Sequence, residues 1–183
     1  MPMATGDETL LSGLRDSDRK AYEYLFRRYY ASLFRQTWYR CKDRDLAEDI
    51  VQETFVRLWI RRSDLKPRLS LLPFLITISV NLLRDHQKHS AVARRHEESL
   101  RASDVPVAED PGDSLSAKLL QERISDVVNR HLSEKCRSIF ILSRIEGKSN
   151  AEIAEILRVS RKAVENQLYH ALTVLRRKLS PLK

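Results

Sequence analysis

At 183 residues the chain has room for one ordinary domain or two small ones, and a hydrophobic share of 42% suffices for packed cores. A count of 33 Lys and Arg against 25 Asp and Glu leaves a formal charge of +8, which suits a polyanionic partner. Only 4 Gly and 6 Pro argue against a turn-rich β architecture and for an all-α protein.

Further classes fall away on particular residues. Cys41 and Cys136 stand alone, with no CxxC pattern, so neither a disulfide framework nor a cysteine zinc site is implied. His86 and His89 lie one helical turn apart with His96 beyond, but no acidic or Cys ligand sits at suitable spacing. They read as solvated, and no metal or cofactor is expected. The longest apolar stretch, residues 71–83, is broken by Pro73, Thr77, Ser79 and Asn81 and is too short to cross a bilayer. The expectation is a cytoplasmic protein with no membrane insertion.

Three helical stretches make a front block. Over residues 16–41, Ala21, Tyr22, Leu25, Phe26, Tyr29, Tyr30, Leu33, Phe34 and Trp38 recur at helical spacing. A second helix spans residues 43–61, with Asp43 as its N-cap. Its buried side is expected to hold Ala47, Ile50, Val51, Thr54, Phe55 and Leu58. Opposite lie Asp45, Asp49, Gln52 and Glu53 together with Val56 and Ile60. Acids interleaved with outward aliphatics exceed what a merely solvated face needs, so this stripe is predicted to dock a protein. A loop over residues 62–69, with Ser63, Lys66 and Arg68, is long enough to cup a ligand. The third helix starts near Ser70, tolerates Pro73 in its first turn and runs toward Arg95. Asn81, Arg84, Lys88, Arg94 and Arg95 give it a basic end suited to phosphates.

Between Glu97 and Asp113 the composition changes to six acids, one Arg, two Pro and a Gly, the signature of a flexible linker. A back block follows, with helices over residues 115–131 and 133–145 and Gly147 as the C′ residue of the second. Ser149 and Glu152 fit a capping box that opens a short helix with Ile153, Ile156 and Leu157 inward. After Arg158-Val159, Ser160 can cap a last helix reaching Leu179.

A short helix, a tight turn and a longer helix describe a helix-turn-helix, whose second helix enters the major groove of DNA. In that second helix Val164, Leu168, Ala171, Leu172 and Leu175 are expected inward. Lys162, Asn166, Tyr169, His170, Thr173 and Arg177 lie outward, flanked by Arg161 and Glu165. Asn166 can bond base edges, Glu165 can accept from cytosine N4, and Arg161 or Lys162 can hold guanine or phosphate. Arg176, Arg177 and Lys178 suit backbone phosphates, which position without specifying. Arg158 occupies the turn position that Gly commonly fills.

These residues resemble a known family. Asp45-Leu-Ala-Glu-Asp-Ile-Val-Gln-Glu-Thr-Phe-Val-Arg-Leu-Trp59 looks like region 2.2 of extracytoplasmic-function (ECF) sigma factors. Pro73-Phe-Leu-Ile-Thr-Ile-Ser-Val-Asn81 with Leu83-Arg84-Asp85 resembles their region 2.3–2.4 helix. Residues 132–142, 146–157 and 163–168 resemble region 4. The wording of the last two is closest to the iron-uptake-like and Bacteroidetes-type subgroups. The resemblance implies two small helical domains, at 1–96 and 114–183, joined by a linker at 97–113. It implies that Asp45, Asp49, Gln52, Glu53, Val56 and Ile60 dock on the clamp helices of the largest subunit of core RNA polymerase. Ser63, Lys66, Arg68, Asn81, Arg84 and Lys88 would recognise and help melt the minus-ten promoter element. Arg161, Lys162, Glu165, Asn166, Tyr169, His170 and Arg177 would engage the minus-thirty-five element. An anti-sigma factor is the implied regulator. The chemistry is binding and strand separation, without catalysis.

Other readings compete. The back block alone also resembles the helix-turn-helix of stand-alone transcriptional activators, which predicts a receiver or ligand-binding domain in front. Residues 1–95 carry no alternating strand and helix pattern for one. A small nuclease would need converging carboxylates to hold metal, and Asp45, Glu48, Asp49 and Glu53 share one partner-facing helix. A helical adaptor without a DNA role is disfavoured by the recognition helix.

Overall fold

The computed structural model describes residues 7–66, 69–98 and 113–179, with side chains throughout except at 91–98 and 113–118. Helices in chain order are α1 (Asp7–Arg15), α2 (Arg19–Cys41), α3 (Arg44–Ile60), α4 (Leu71–Glu98), α5 (Asp113–His131), α6 (Glu134–Arg144), α7 (Asn150–Leu157) and α8 (Arg161–Leu179). A 3-10 turn at Arg62–Asp64 separates α3 from α4, and no strand occurs among the described residues. The all-α expectation holds. Helix α1, nine residues that bury Leu10, Leu11 and Leu14 on one face, is an addition to it.

Local chemistry sets the boundaries. The Asp18 carboxylate accepts from the Lys20 amide at 2.8 Å, and the Asp43 carboxylate from the Leu46 amide at 3.0 Å, so each opens its helix as an N-cap. Lys42 turns left-handed at φ 60° and closes α2 by donating its amide to the Trp38 carbonyl at 2.8 Å. Gly147 is left-handed too, at φ 67°, but it lies two residues beyond Ile145, the C-cap of α6, one place later than expected.

Helix α2 is the axis of the front block. Leu25 and Leu33 are buried, as are Val51, Phe55 and Leu58 of α3 and Leu71 and Leu75 of α4. The inward face expected for α3 is the one observed. Aromatic rings bind α2 to α3: Phe26 lies 4.7 Å from Phe55, and Tyr22 meets Trp59 edge-on at 5.3 Å between centroids. Gly13 lets α1 approach α2 closely, since a Cβ there would sit 2.9 Å from the Cβ of Ala21. Phe55→Ala removes a fully buried ring from this junction and should cost about 3–5 kcal/mol, read as a lower denaturant midpoint at unchanged m-value.

In the back block α5, α6 and α8 bury Val128, Leu132, Cys136, Phe140, Ile141, Ala171, Val174 and Leu175. Val174 takes the place expected for Leu172, which is half-buried, because α8 meets both α5 and α6 rather than one neighbour.

The blocks touch. The C-terminal half of α2 is covered by α6: Gln36 donates to the Ser138 carbonyl at 3.3 Å, and Tyr39 is buried among Val128, Leu132, Phe140 and Cys136. Arg40, with a side chain only 6% exposed, donates to Glu134 at 3.2 and 3.3 Å and to the Ser138 hydroxyl at 3.1 Å. Burial pulls its guanidinium down to a pKa of about 10, against the pull of Glu134, so it stays charged at neutral pH. Glu146, with a side chain only 2% exposed, accepts from the Ser32 hydroxyl at 2.9 Å and from Arg35 at 3.2 Å.

Candidate nucleic-acid interface

The helix-turn-helix forms as its residues dictate. The Ser149 hydroxyl accepts from the Glu152 amide at 3.3 Å, while the Glu152 carboxylate accepts from the Ser149 amide at 2.8 Å, a closed capping box at the start of α7. The bond from the Ser149 amide holds the Glu152 carboxyl below its usual range. A depressed carboxyl stabilises above its unfolded pKa, so this contribution is present at neutral pH and fades as acid protonates Glu152. Ser149→Ala should cost about 1 kcal/mol, read as a lower melting temperature. Arg158 adopts φ 51° and ψ 49° at the turn, the left-handed conformation that Gly would take more cheaply. The Ser160 hydroxyl then accepts from the Ala163 amide at 3.1 Å and opens α8.

On α8 the outward residues stand clear of the core. Arg161, Lys162, Asn166, Tyr169, His170 and Arg177 are exposed, Tyr169 by 74%. Glu165 is half-buried and pairs with Arg161 at 3.4 Å. Such a pair occupies the carboxylate one turn from the end of the helix that reaches base edges.

The second surface is on α3. Asp45, Asp49 and Gln52 are exposed, and Val56 and Ile60 are exposed by 47% and 67%. Glu53 is half-exposed and is held by Arg57 at 2.9 Å. Among the described residues nothing covers these two aliphatics on one solvent face.

The third lies on α4 and the loop before it. Asn81, Arg84 and Lys88 are exposed along one helix, and Ser63 and Lys66 are exposed on the loop. The loop is anchored where it begins: Arg62 stacks over Trp59 at 4.6 Å and donates to the Ser17 hydroxyl at 2.9 Å. Arg68 and the expected linker core at 99–112 lie outside the described residues, as do the side chains of Arg94 and Arg95. Arg84 also reaches to 4.0 Å from Glu134 of α6, beside a cavity of about 190 Å³ lined by Arg40, Gln87, Asn129 and Arg137. Sequence reasoning missed the residues that tie the blocks together: Arg40, Glu134 and Glu146. No group of three or more His, Cys, Asp or Glu among the described residues could hold a metal ion.

Residues 25–91 match the family model for sigma-70 region 2, and residues 130–175 match that for sigma-70, region 4. The RNA polymerase sigma factor NccH of Alcaligenes xylosoxydans xylosoxydans is 31% identical over 90% of this chain and 90% of its own length. The chain belongs to the RNA polymerase sigma factors. Within that family it is similar to the ECF RNA polymerase sigma factor SigL of Mycobacterium tuberculosis, 28% identical over 94% of this chain and 96% of the relative. Solved structures share the fold of this sigma factor. CnrH in complex with the cytosolic domain of CnrY gives a TM-score of 0.59 at 23% identity, covering 97% of this chain and 99% of that one. The sigma factor RpoE, in complex with the anti-sigma factor NepR from Bartonella quintana, gives 0.53 at 19% identity over 90% and 99%.

Proposed function

We propose that this sigma factor is of the ECF type: it binds core RNA polymerase, recognises promoter DNA at two elements and helps separate the strands to start transcription. The observation that carries the reading is the pairing, in one chain, of an exposed acidic and aliphatic stripe on α3 with an exposed reading face on α8.

Each surface has a role its chemistry suits. Val56 and Ile60, flanked by Asp45, Asp49, Gln52 and Glu53, dock on the clamp helices of the polymerase largest subunit. Buried aliphatics supply affinity there, and the acids supply steering. Ser63, Lys66, Arg68, Asn81, Arg84 and Lys88 hold the minus-ten strand, where a loop beside a basic helix can accept an unstacked base. Arg161, Lys162, Glu165, Asn166, Tyr169 and His170 read the minus-thirty-five duplex, and Arg177 binds its backbone. The domains run over 1–96 and 114–183 with the linker at 97–113, bounds within which both family matches fall.

Because RpoE is held by an anti-sigma factor, a protein of that kind is the regulator to seek, and the iron-uptake-like or Bacteroidetes-type subgroup is the place to look for relatives of its promoters. The factor works in the cytoplasm, where its polymerase is; no helix among the described residues is long and apolar enough to cross a membrane. The test is transcription by core polymerase with and without the protein, with start sites mapped on genomic template. New discrete starts sharing two upstream elements support the reading. Absence of new starts, with duplex binding by the protein alone, favours the stand-alone activator.

A further inference from the structure

One end of the front block gathers cations that no carboxylate answers. Arg15 ends α1, Arg19 and Lys20 open α2, and Arg61 and Lys66 flank the 3-10 turn; all five are exposed, and none has an ion-pair partner among the described residues. Other exposed arginines of this chain pair one turn along their own helix, as Arg27 does with Glu23 and Arg44 with Glu48. Arg62 fastens the two segments together, donating to the Ser17 hydroxyl and to the Trp59 carbonyl, each at 2.9 Å. The carboxylates nearby are Asp16, Asp18 and Asp64. Asp18 is engaged in capping α2, and Asp64 accepts from the Ser63 hydroxyl at 3.1 Å. The turn itself is well built. Ser17 is left-handed at φ 64°, and the Ser17 and Asp18 amides donate to the Leu14 and Gly13 carbonyls at 3.0 and 2.9 Å.

Local stability disfavours this arrangement. A cation in the first turn of a helix opposes the macrodipole, yet α2 opens with two cations and no acid. Helix α8, which carries the proposed reading face, opens the same way with Arg161 and Lys162. Helices α1, α3, α6 and α7 each place an acid there. An outside polyanion offsets the cost of cations set against their own helix. Position says which polyanion. Arg40, near the far end of α2, lines one cavity with Arg84 of α4, and the helix from Lys20 to Arg40 spans about 30 Å. The loop at 62–69 adjoins the α1–α2 turn through Arg62, so Arg84 and the turn lie at opposite ends of the proposed minus-ten surface. Helix α4 runs from the loop toward the back block, which reads the upstream element. The turn therefore lies on the downstream side.

We propose that the α1–α2 turn, through Arg15, Arg19, Lys20 and Arg61, grips the backbone of the separated DNA strand immediately downstream of the minus-ten element. The contact rests on the sigma-factor reading and adds to it a sequence-independent hold on the open bubble. Cations along a groove suit the phosphates of a single strand, whatever its bases.

Two fork-shaped promoter templates test this, each bound by core polymerase carrying the full chain. One ends its unpaired strand at the minus-ten element, and the other extends it downstream by about ten nucleotides, within the usual span of a single-strand site. Wild type should bind the extended template more tightly, with a salt slope steeper by about 2, the value for three more phosphates on a single strand. Raising salt from about 50 to about 200 mM should then cost the extended template roughly 15-fold more than the short one. Arg15→Ala, Arg19→Ala and Lys20→Ala combined should erase the difference at unchanged core affinity, since none of the three lies on the α3 stripe. Arg19→Glu with Lys20→Glu should erase it too and melt no lower than wild type, because acids suit that end of α2. The second variant decides the matter if the first fails to fold. A variant that holds the extended template as wild type does would overturn the contact. Equal losses on both templates would overturn it as well, as would weakened core binding, which would turn the patch toward protein. A wild type that binds no core would overturn the sigma-factor reading and this contact with it.

Discussion

Replacing Val56 and Ile60 together by lysine is expected to abolish promoter-dependent transcription while leaving the helical fold intact. Both side chains face solvent on α3, on the side away from Val51, Phe55 and Leu58, so the front core does not depend on them. Aliphatics at the centre of an interface are worth about 2 kcal/mol or more each, and a lysine there also leaves a desolvated charge. A loss of at least about 100-fold in core affinity follows. Gln52→Ala with Glu53→Ala should have the same direction and a smaller size, because Glu53 is already partly engaged by Arg57. Asp45→Asn and Asp49→Asn, at the exposed rim, should mainly slow association and flatten its salt dependence. Binding titrations of core polymerase with each variant, alongside circular dichroism, separate these effects. Full transcription by the double-lysine variant would remove α3 as the docking surface.

Asn166→Ala and Lys162→Ala should each lower activity about 5- to 150-fold on the cognate promoter and relax preference at one base pair of the upstream element. That range corresponds to the ~1–3 kcal/mol of a lost base-edge contact. Both positions are exposed on the first turns of α8, and neither contributes to the core formed by Val164, Leu168 and Ala171. Arg177→Ala, near the far end of the same helix, should weaken binding evenly across sequences and reduce the salt slope by about 1. Upstream-element libraries transcribed at two salt concentrations distinguish the two patterns. Uniform loss for Asn166→Ala would mean that it holds backbone and does not read bases.

Much of this was legible in the residues because it rests on local rules. Asp43, Ser149 with Glu152, and Ser160 mark helix starts through bonds that span three residues, and all three form. Helical period alone places Phe55 inward and Ile60 outward on α3. Where α8 packs against α5, α6 and α7 the same arithmetic misplaces one residue, assigning inward Leu172 over Val174, since period gives a direction but not the number of partners waiting there. Helix α1 was not read although Leu10, Leu11 and Leu14 share one face of its nine residues; a helix that short needs its tertiary contacts, here Leu11 and Leu14 in the front core and the Asp7 carboxylate accepting from the Tyr29 hydroxyl. The contact between the blocks was invisible for a stronger reason. Gln36 and Arg40 are residue types that ordinarily favour water, and their side chains are buried here only because Glu134 and Ser138, about a hundred positions later, bring a matching charge and hydrogen-bond partners to them. Helices and their capping are decided by neighbours in the chain; the burial of a charge is decided by whichever distant segment arrives to satisfy it.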